Sequence, residues 1–192
     1  MTIFTSYTLE NAPEGSKEKL AQVKAAWGFV PKLHGNLAES PVALEAYDTL
    51  FGLVAKSTLR PIEQQVAYQA INVFHECEYC TAGHTYLSRM VKMDEAAIQA
   101  LRNGKPIPDA RLEALRVFAQ AVVRERGFVG DAMVEAFMAA GFTKANVLEV
   151  VTIAATKTIS NYTNHITHTE KESFMADAAL EWTAPRNRKA AA

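Results

Sequence analysis

Apolar residues recur every three or four positions along most of this chain, divided by a succession of helix-start signals, and strand signals are poor throughout. That pattern restricts the fold to an all-α architecture. Ser16 is expected to cap a helix that runs to Trp27 and ends at Gly28, with a short helix near Lys32 to Glu39. Ser40 followed by Pro41 is a sharper start: the hydroxyl accepts from a first-turn amide, and the proline lacks an N–H that would have no partner there. Pro61 opens the next helix, and 78–90 should form another. Asp94 caps one that Gly104 ends, and Asp109 starts a long one through about Arg126. Two more are expected over about 129–140 and 144–168. "KPIPD" is a linker, and "APRNRKAAA", residues 184–192, reads as a basic, mobile tail.

Length and charge narrow the class further. A chain of 192 residues suits one domain spanning 1–192. Twenty Lys+Arg against 21 Asp+Glu leave a net charge of -1, so no basic field exists to hold nucleic acid or an anionic membrane. The first twenty residues lack the basic-then-apolar order of a secretory leader. The most apolar late run, "ANVLEVVTIAATKTI", is interrupted by Glu149 and Lys157. The expected location is the cytoplasm, where a close cysteine pair is more often catalytic, redox-sensing or metal-binding than structural.

Both cysteines fall within "ECEYCTAGH", residues 76–84. On a helix, Cys77 and Cys80 are neighbours at i, i+3, and Cys80 and His84 at i, i+4, so the three share one face. A helix starting near Cys77 would favour a thiolate there through its unpaired N–H groups. Cys80, closer to His84, is the expected nucleophile and Cys77 the resolving thiol: a sulfenic acid on Cys80 would condense with Cys77, and an external dithiol would reset the pair. Zinc competes for the same residues, but three ligands fall short of the four a structural site wants. Two buried cysteines beside a packed histidine is the plainest alternative. On the preceding helix, Gln65, Gln69, Asn72 and Glu76 form a polar stripe that faces either solvent or the cysteines. His34 reads as a helix-end or surface residue, and His165 and His168 as groups that stabilise a polar helix end or a subunit contact. No nucleotide-binding, serine-hydrolase or zinc-protease motif is present.

A repeat emerges at a constant offset of 84 positions, which carries Cys77, Cys80 and His84 onto Asn161, Asn164 and His168, and Gln65 onto Glu149. "LEAYDTLFGLVA" and "LEALRVFAQAVV" are also alike. The chain reads as two related helical halves, one with cysteines and one without.

The stretch "RPIEQQVAYQAINVFHECEYCTAGH" resembles the core of the alkylhydroperoxidase AhpD and carboxymuconolactone decarboxylase family, and "AGFTKANVLEVVTIAATKTISNYTNHI" is similar to the C-terminal half of its peroxidase-related branch. The similarity covers about 29–168. It implies an AhpD-like helical fold with a thiol-bearing half over about 29–104 and a cysteine-free half over about 109–168, assembled as trimers or hexamers. It also implies thiol-dependent reduction of hydroperoxides; no bound cofactor or metal is expected. Cys80 would be the peroxidatic thiol, Cys77 its partner and His84 part of a proton relay, with reduction by a dithiol carrier such as a lipoyl protein. Two positions depart from the AhpD pattern: Gln65 stands where it has a glutamate, and Tyr79 where AhpD has a histidine. A glutamine orients groups but takes up no proton. Glu63 should point to another side of the helix, so Glu76, Glu78 and above all Glu149 are the candidate replacements. Two alternatives follow: a redox-responsive oligomer with little turnover, and a lyase acting on a small cyclic acid, against which the cysteine pair speaks.

Overall fold

In the computed structural model, which describes residues 3–188, the helices fall close to where the start signals put them. They are α1 (Glu14–Trp27), α2 (Lys32–Leu37), α3 (Pro41–Val54), α4 (Pro61–Phe74), α5 (Glu78–Met90), α6 (Glu95–Arg102), α7 (Ala110–Arg124), α8 (Asp131–Ala139) and α9 (Lys144–Thr167). A 3-10 turn (Ser173–Ala176) and a last helical turn, α10 (Pro185–Arg188), follow. No strand occurs among the described residues. Ser40 accepts from the Ala43 amide, Asp94 from Ala96 and Ala97, and Asp109 from Leu112. Gly28 ends α1 at φ 81°, a conformation costly for residues with a Cβ. One start moves: α1 begins at Glu14 behind Pro13, and Ser16 lies inside it, fully buried. Its hydroxyl donates to the Ala38 carbonyl at 2.7 Å, pinning α1 to the end of α2.

The core divides into two clusters with α4 between them. Val66, Ala67, Ala70 and Ile71 of α4 join Leu115, Phe118 and Ala119 of α7 and Val150 and Ile153 of α9 in the larger cluster. Each large side chain buried there contributes roughly 1.5–3 kcal/mol of gross stabilisation. Phe118, Phe137 and Phe142 stack in a column with centroids 4.3 Å apart at each step, joining α7, α8 and the loop before α9. The smaller cluster gathers Leu20, Leu33, Leu37, Leu44 and Tyr47 of α1–α3 around Cys77, Cys80 and Ala82. Both thiols are thereby taken out of water. Glu63, as its position predicts, turns away from them: it is 2% exposed and paired with Arg60 and Arg111.

Helix α9 inverts the usual pattern. Thr156, Lys157, Ser160, Asn161, Asn164 and Thr167 face inward, while Leu148, Val151, Tyr162 and Ile166 are exposed. Residues 184–188 of the expected mobile tail lie against the cysteine motif: the Ala184 amide donates to Glu78 and the Arg186 side chain to the Glu76 carbonyl. Residues 189–192 lie outside the described residues. Among the described residues no single helix is long and apolar enough to cross a membrane; α8 and α9 would suffice together but meet at 112°.

Candidate active site

The site is made by a break in the chain between α4 and α5. Past Phe74 the Cys77 amide reaches back to the Asn72 carbonyl (3.0 Å) and the Glu76 amide to Val73 (3.1 Å), a Schellman closure. It needs a left-handed residue, and Glu76 supplies it at φ 56°. The turn makes Cys77 the N-cap of α5 and puts Cys80 in its first turn, where partial positive charge favours a thiolate. The polar stripe of α4 is the mortar of this joint. Gln69 Nε2 donates to the Thr81 carbonyl and the Thr85 hydroxyl, and Asn72 Nδ2 to the Cys80 carbonyl. Gln65, Gln69 and Asn72 are buried, which settles the stripe as a polar wall, while Glu76 sits beyond the helix and pairs with Arg186.

The inward polar face of α9 closes the site. Asn161 Nδ2 donates to Asn72 Oδ1 (3.1 Å), and its Oδ1 accepts from His75 Nδ1 (3.0 Å). Asn164 Nδ2 reaches Cys80 Sγ at 3.1 Å and Cys77 Sγ at 3.7 Å. The two cysteines, unbonded, approach to 3.2 Å. Burial by itself would push the Cys80 thiol up; the Cys77 S–H bond, the Lys157 charge and the amides of Asn161 and Asn164 outweigh it and lower it to about 5. Cys77 moves the other way, well above the thiol range, through burial and the neighbouring Cys80. Both directions favour the charge on Cys80, at the helix start and beside the Asn164 amide, with the proton on Cys77.

His84 is held from three sides. Its Nδ1 lies 2.8 Å from Gln65 Oε1, its Nε2 3.3 Å from Lys157 Nζ, and its ring 4.7 Å from that of Tyr68. An ammonium has only donors, so Nε2 accepts and Nδ1–H donates to Gln65. Burial, then the Lys157 charge, push the imidazole well below the ordinary histidine range, and it stays neutral.

Above these groups opens a cavity of about 530 Å³. Cys80, His84 and Lys157 line it, and Trp27, Phe29, Phe51, Tyr86, Met90 and Phe174 give it apolar walls. Cys77 is not among its lining residues, so a molecule entering meets Cys80 first. His34 lines the cavity too: it is 5% exposed with an unpartnered Nδ1, so the expectation of a surface or helix-end residue is corrected. Burial in this apolar corner lowers its pKa to about 4. Tyr79 donates to Glu172, which also accepts from the Lys32 amide.

Cys77, Cys80, His84 and Gln65 thus come together, and Glu149 does not join them. Its carboxylate accepts from the Thr58 amide and hydroxyl and from Asn146, near the opposite end of α9. Fifteen residues, or about 22 Å of helix axis, separate it from Asn164. Glu78 is likewise engaged elsewhere, with Ala184 and Asn187. His168, the offset partner of His84, is the exposed left-handed cap of α9. Sequence reasoning missed Lys157, reading it only as an interruption of an apolar run. The signal was present: Lys157, Asn161 and Asn164 recur at i, i+4, i+7. Among the described residues no group of three or more His, Cys, Asp or Glu has metal-holding geometry.

Residues 41–120, from α3 into α7, match the model of the carboxymuconolactone decarboxylase family. No curated protein matches the chain in sequence. Among solved structures, an AhpD-core, uncharacterised peroxidase-related protein from Ralstonia eutropha JMP134 is similar at a TM-score of 0.77 and 21% identity, over 90% of this chain and 93% of that one. An uncharacterised peroxidase-related protein from Silicibacter sp. TM1040 gives 0.77 and 17%, over 93% and 95%. A cysteine-to-alanine variant of the debrominase Bmp8, in complex with 2,3,4-tribromopyrrole, gives 0.74 and 14%, over 90% and 93%. The chain thus has an AhpD-like helical fold, and its segment 41–120, which carries Cys77, Cys80, His84 and Gln65, matches the carboxymuconolactone decarboxylase family model.

Proposed function

We propose that the protein is a thiol-dependent hydroperoxide reductase. The observation that carries this reading is Cys80, a thiolate at the floor of an apolar cavity with a protonated thiol 3.2 Å behind it. The Cys80 thiolate attacks the outer oxygen of ROOH, and the O–O bond breaks. RO⁻ takes one proton and leaves as alcohol, and Cys80 becomes a sulfenic acid. Cys77 then attacks that sulfur; water leaves, and a disulfide remains. A dithiol, for which a lipoyl group is a candidate, returns both thiols by exchange and is itself oxidised. A reducing compartment such as the cytoplasm suits the cycle. The trimer or hexamer implied by the family resemblance is supported by the apolar residues that α9 leaves exposed, and sedimentation would test it.

The test is to mix reduced protein with cumene hydroperoxide, with and without dihydrolipoamide, and to follow thiols and peroxide together. Catalytic consumption with the dithiol is expected. Cys80→Ser should be inert, and Cys77→Ser should stop at a dimedone-reactive sulfenic acid. A single stoichiometric oxidation would favour the redox-responsive protein instead, and no reaction of Cys80 at neutral pH would end the proposal.

The aromatic walls favour one second reading, reductive dehalogenation of a halogenated ring. There the change from two thiols to one disulfide supplies two electrons, and a proton replaces the departing halide. Bromide release from 2,3,4-tribromopyrrole, with the same two variants, separates it from peroxide reduction.

A further inference from the structure

The thiol cycle leaves the source of one proton open, and it gives Lys157 no part beyond the pull of its charge on Cys80. Lys157 is 1% exposed in the middle of α9. Among the described residues no carboxylate lies within ion-pairing distance of its Nζ, whose polar side-chain partner is His84 Nε2 at 3.3 Å. An ammonium taken out of water without an anion is strongly disfavoured. Gln65 brings no charge, His84 is neutral, and Glu172 is occupied by Tyr79 and the Lys32 amide. Glu172 keeps its charge but makes no ion pair with Lys157, and the anion on which the Lys157 charge acts is Cys80.

We infer that Lys157 is the counter-ion of the Cys80 thiolate and the proton store of the site, giving its proton to the leaving alkoxide. His84 is then a positioning residue: anchored through Nδ1–H to Gln65, it accepts one Lys157 N–H and aims the others into the cavity. The ion pair stands without the hydroperoxide reading; the proton delivery rests on it. The balance is complete. Cys80–S⁻, Lys157–NH₃⁺ and ROOH give Cys80–SOH, Lys157–NH₂ and ROH, and the sulfenic acid and Cys77–SH give the disulfide and water. The buried site passes from one ion pair to none, so no unpaired charge is stranded when the thiolate disappears. During reset the neutral amine takes back a proton from the incoming dithiol. Gln65 then fits its position: a carboxylate there would offer Lys157 a second anion and weaken its hold on Cys80.

The other titratable groups facing Cys80 are Cys77 and His84 on α5, Tyr47 on α3, Tyr79 beside it, and His34 and Glu172 across the cavity. The test therefore follows Cys80 alone, by mass spectrometry of its iodoacetamide adduct as a function of pH. Lys157→Met should raise the midpoint by about two units and slow alkylation at pH 6 more than about tenfold, while Lys157→Arg stays within about threefold of wild type. A Lys157→Met protein that is folded by circular dichroism and titrates as wild type would overturn the ion pair. A measurement on wild type needs no variant: oxidation by one equivalent of cumene hydroperoxide at pH 7 in dilute buffer, with a pH indicator, should take up no proton per disulfide formed. Uptake of one proton would show that Lys157 keeps its own and would overturn the proton store. If hydroperoxide is inert, the proposed function fails by itself. Oxidation by dithiodipyridine then carries the same count of zero or one and still decides whether Lys157 yields its proton.

Discussion

The two offset halves of the chain reach opposite outcomes from matching positions. In the first, α4 stops at Phe74, Glu76 turns left-handed and α5 restarts at Cys77. In the second, α9 runs unbroken through the equivalent residues, and Asn161 and Asn164 stay on one helix face. The break places two thiols at a helix start; the straight helix brings two amides to meet them. The other matches diverge: Gln65 holds His84 in the interior, while Glu149 holds the Thr58 loop and His168 lies at the surface. Similar positions acquire different chemistry because one turn redirects the chain.

If the first half is the desolvated, chemically loaded one, it should also be the acid-labile one. Burial lowers the His34 pKa to about 4 from an ordinary 6.5, and His84 shifts in the same direction. The unfolded chain binds these protons first, so stability is full above about pH 6.5 and is lost as pH falls toward 4. For His34 the loss amounts to about 3 kcal/mol. Urea melts at pH 7.5 and 4.5 would measure it, and His34→Leu should flatten the difference; an unchanged slope would separate acid lability from this histidine.

The amides of the second half are expected to matter next most. Asn164→Ala removes the donor to Cys80 Sγ, and a hydrogen bond to a charged group is worth about 1.5–3 kcal/mol. The Cys80 midpoint should rise by about one to two units, with alkylation at pH 6 slowed up to about tenfold. An unmoved midpoint would remove the Asn164 amide from the groups that set the Cys80 charge. Glu149→Gln sharpens the contrast from the other side: about 1 kcal/mol of stability lost at the Thr58 loop, read by thermal melting, and no change in Cys80 titration. A shifted titration would restore Glu149 to the mechanism. The smallest effect belongs to the turn. Glu76→Gly relieves the left-handed backbone but loosens the unfolded chain and loses the Arg186 pair, so a gain of a few tenths of a kcal/mol is expected in urea melts.

Helix starts were legible in the sequence because they depend on short-range events: Ser40, Asp94 and Asp109 each bond an amide two or three residues away. Ser16 shows the limit of that reading, since its hydroxyl found a carbonyl 22 residues away on another helix. The thiol motif was legible for the same local reason, as three side chains within eight residues. Lys157 and Asn164 were not, because they reach the site from 73 and 84 residues away, and an isolated lysine in an apolar run carries no sign of whether it faces water. Glu149 was misplaced because the offset promised equivalence of position, whereas a continuous helix carried its carboxylate about 22 Å along the axis from Asn164.

The sequence by itself determined the helices and the cysteine pair, through caps, periodicity and spacing that act within a few turns. Only the tertiary structure decided which thiol is the ion and what faces it. Burial, an ammonium and two amides set that charge, and long-range packing alone brings them together.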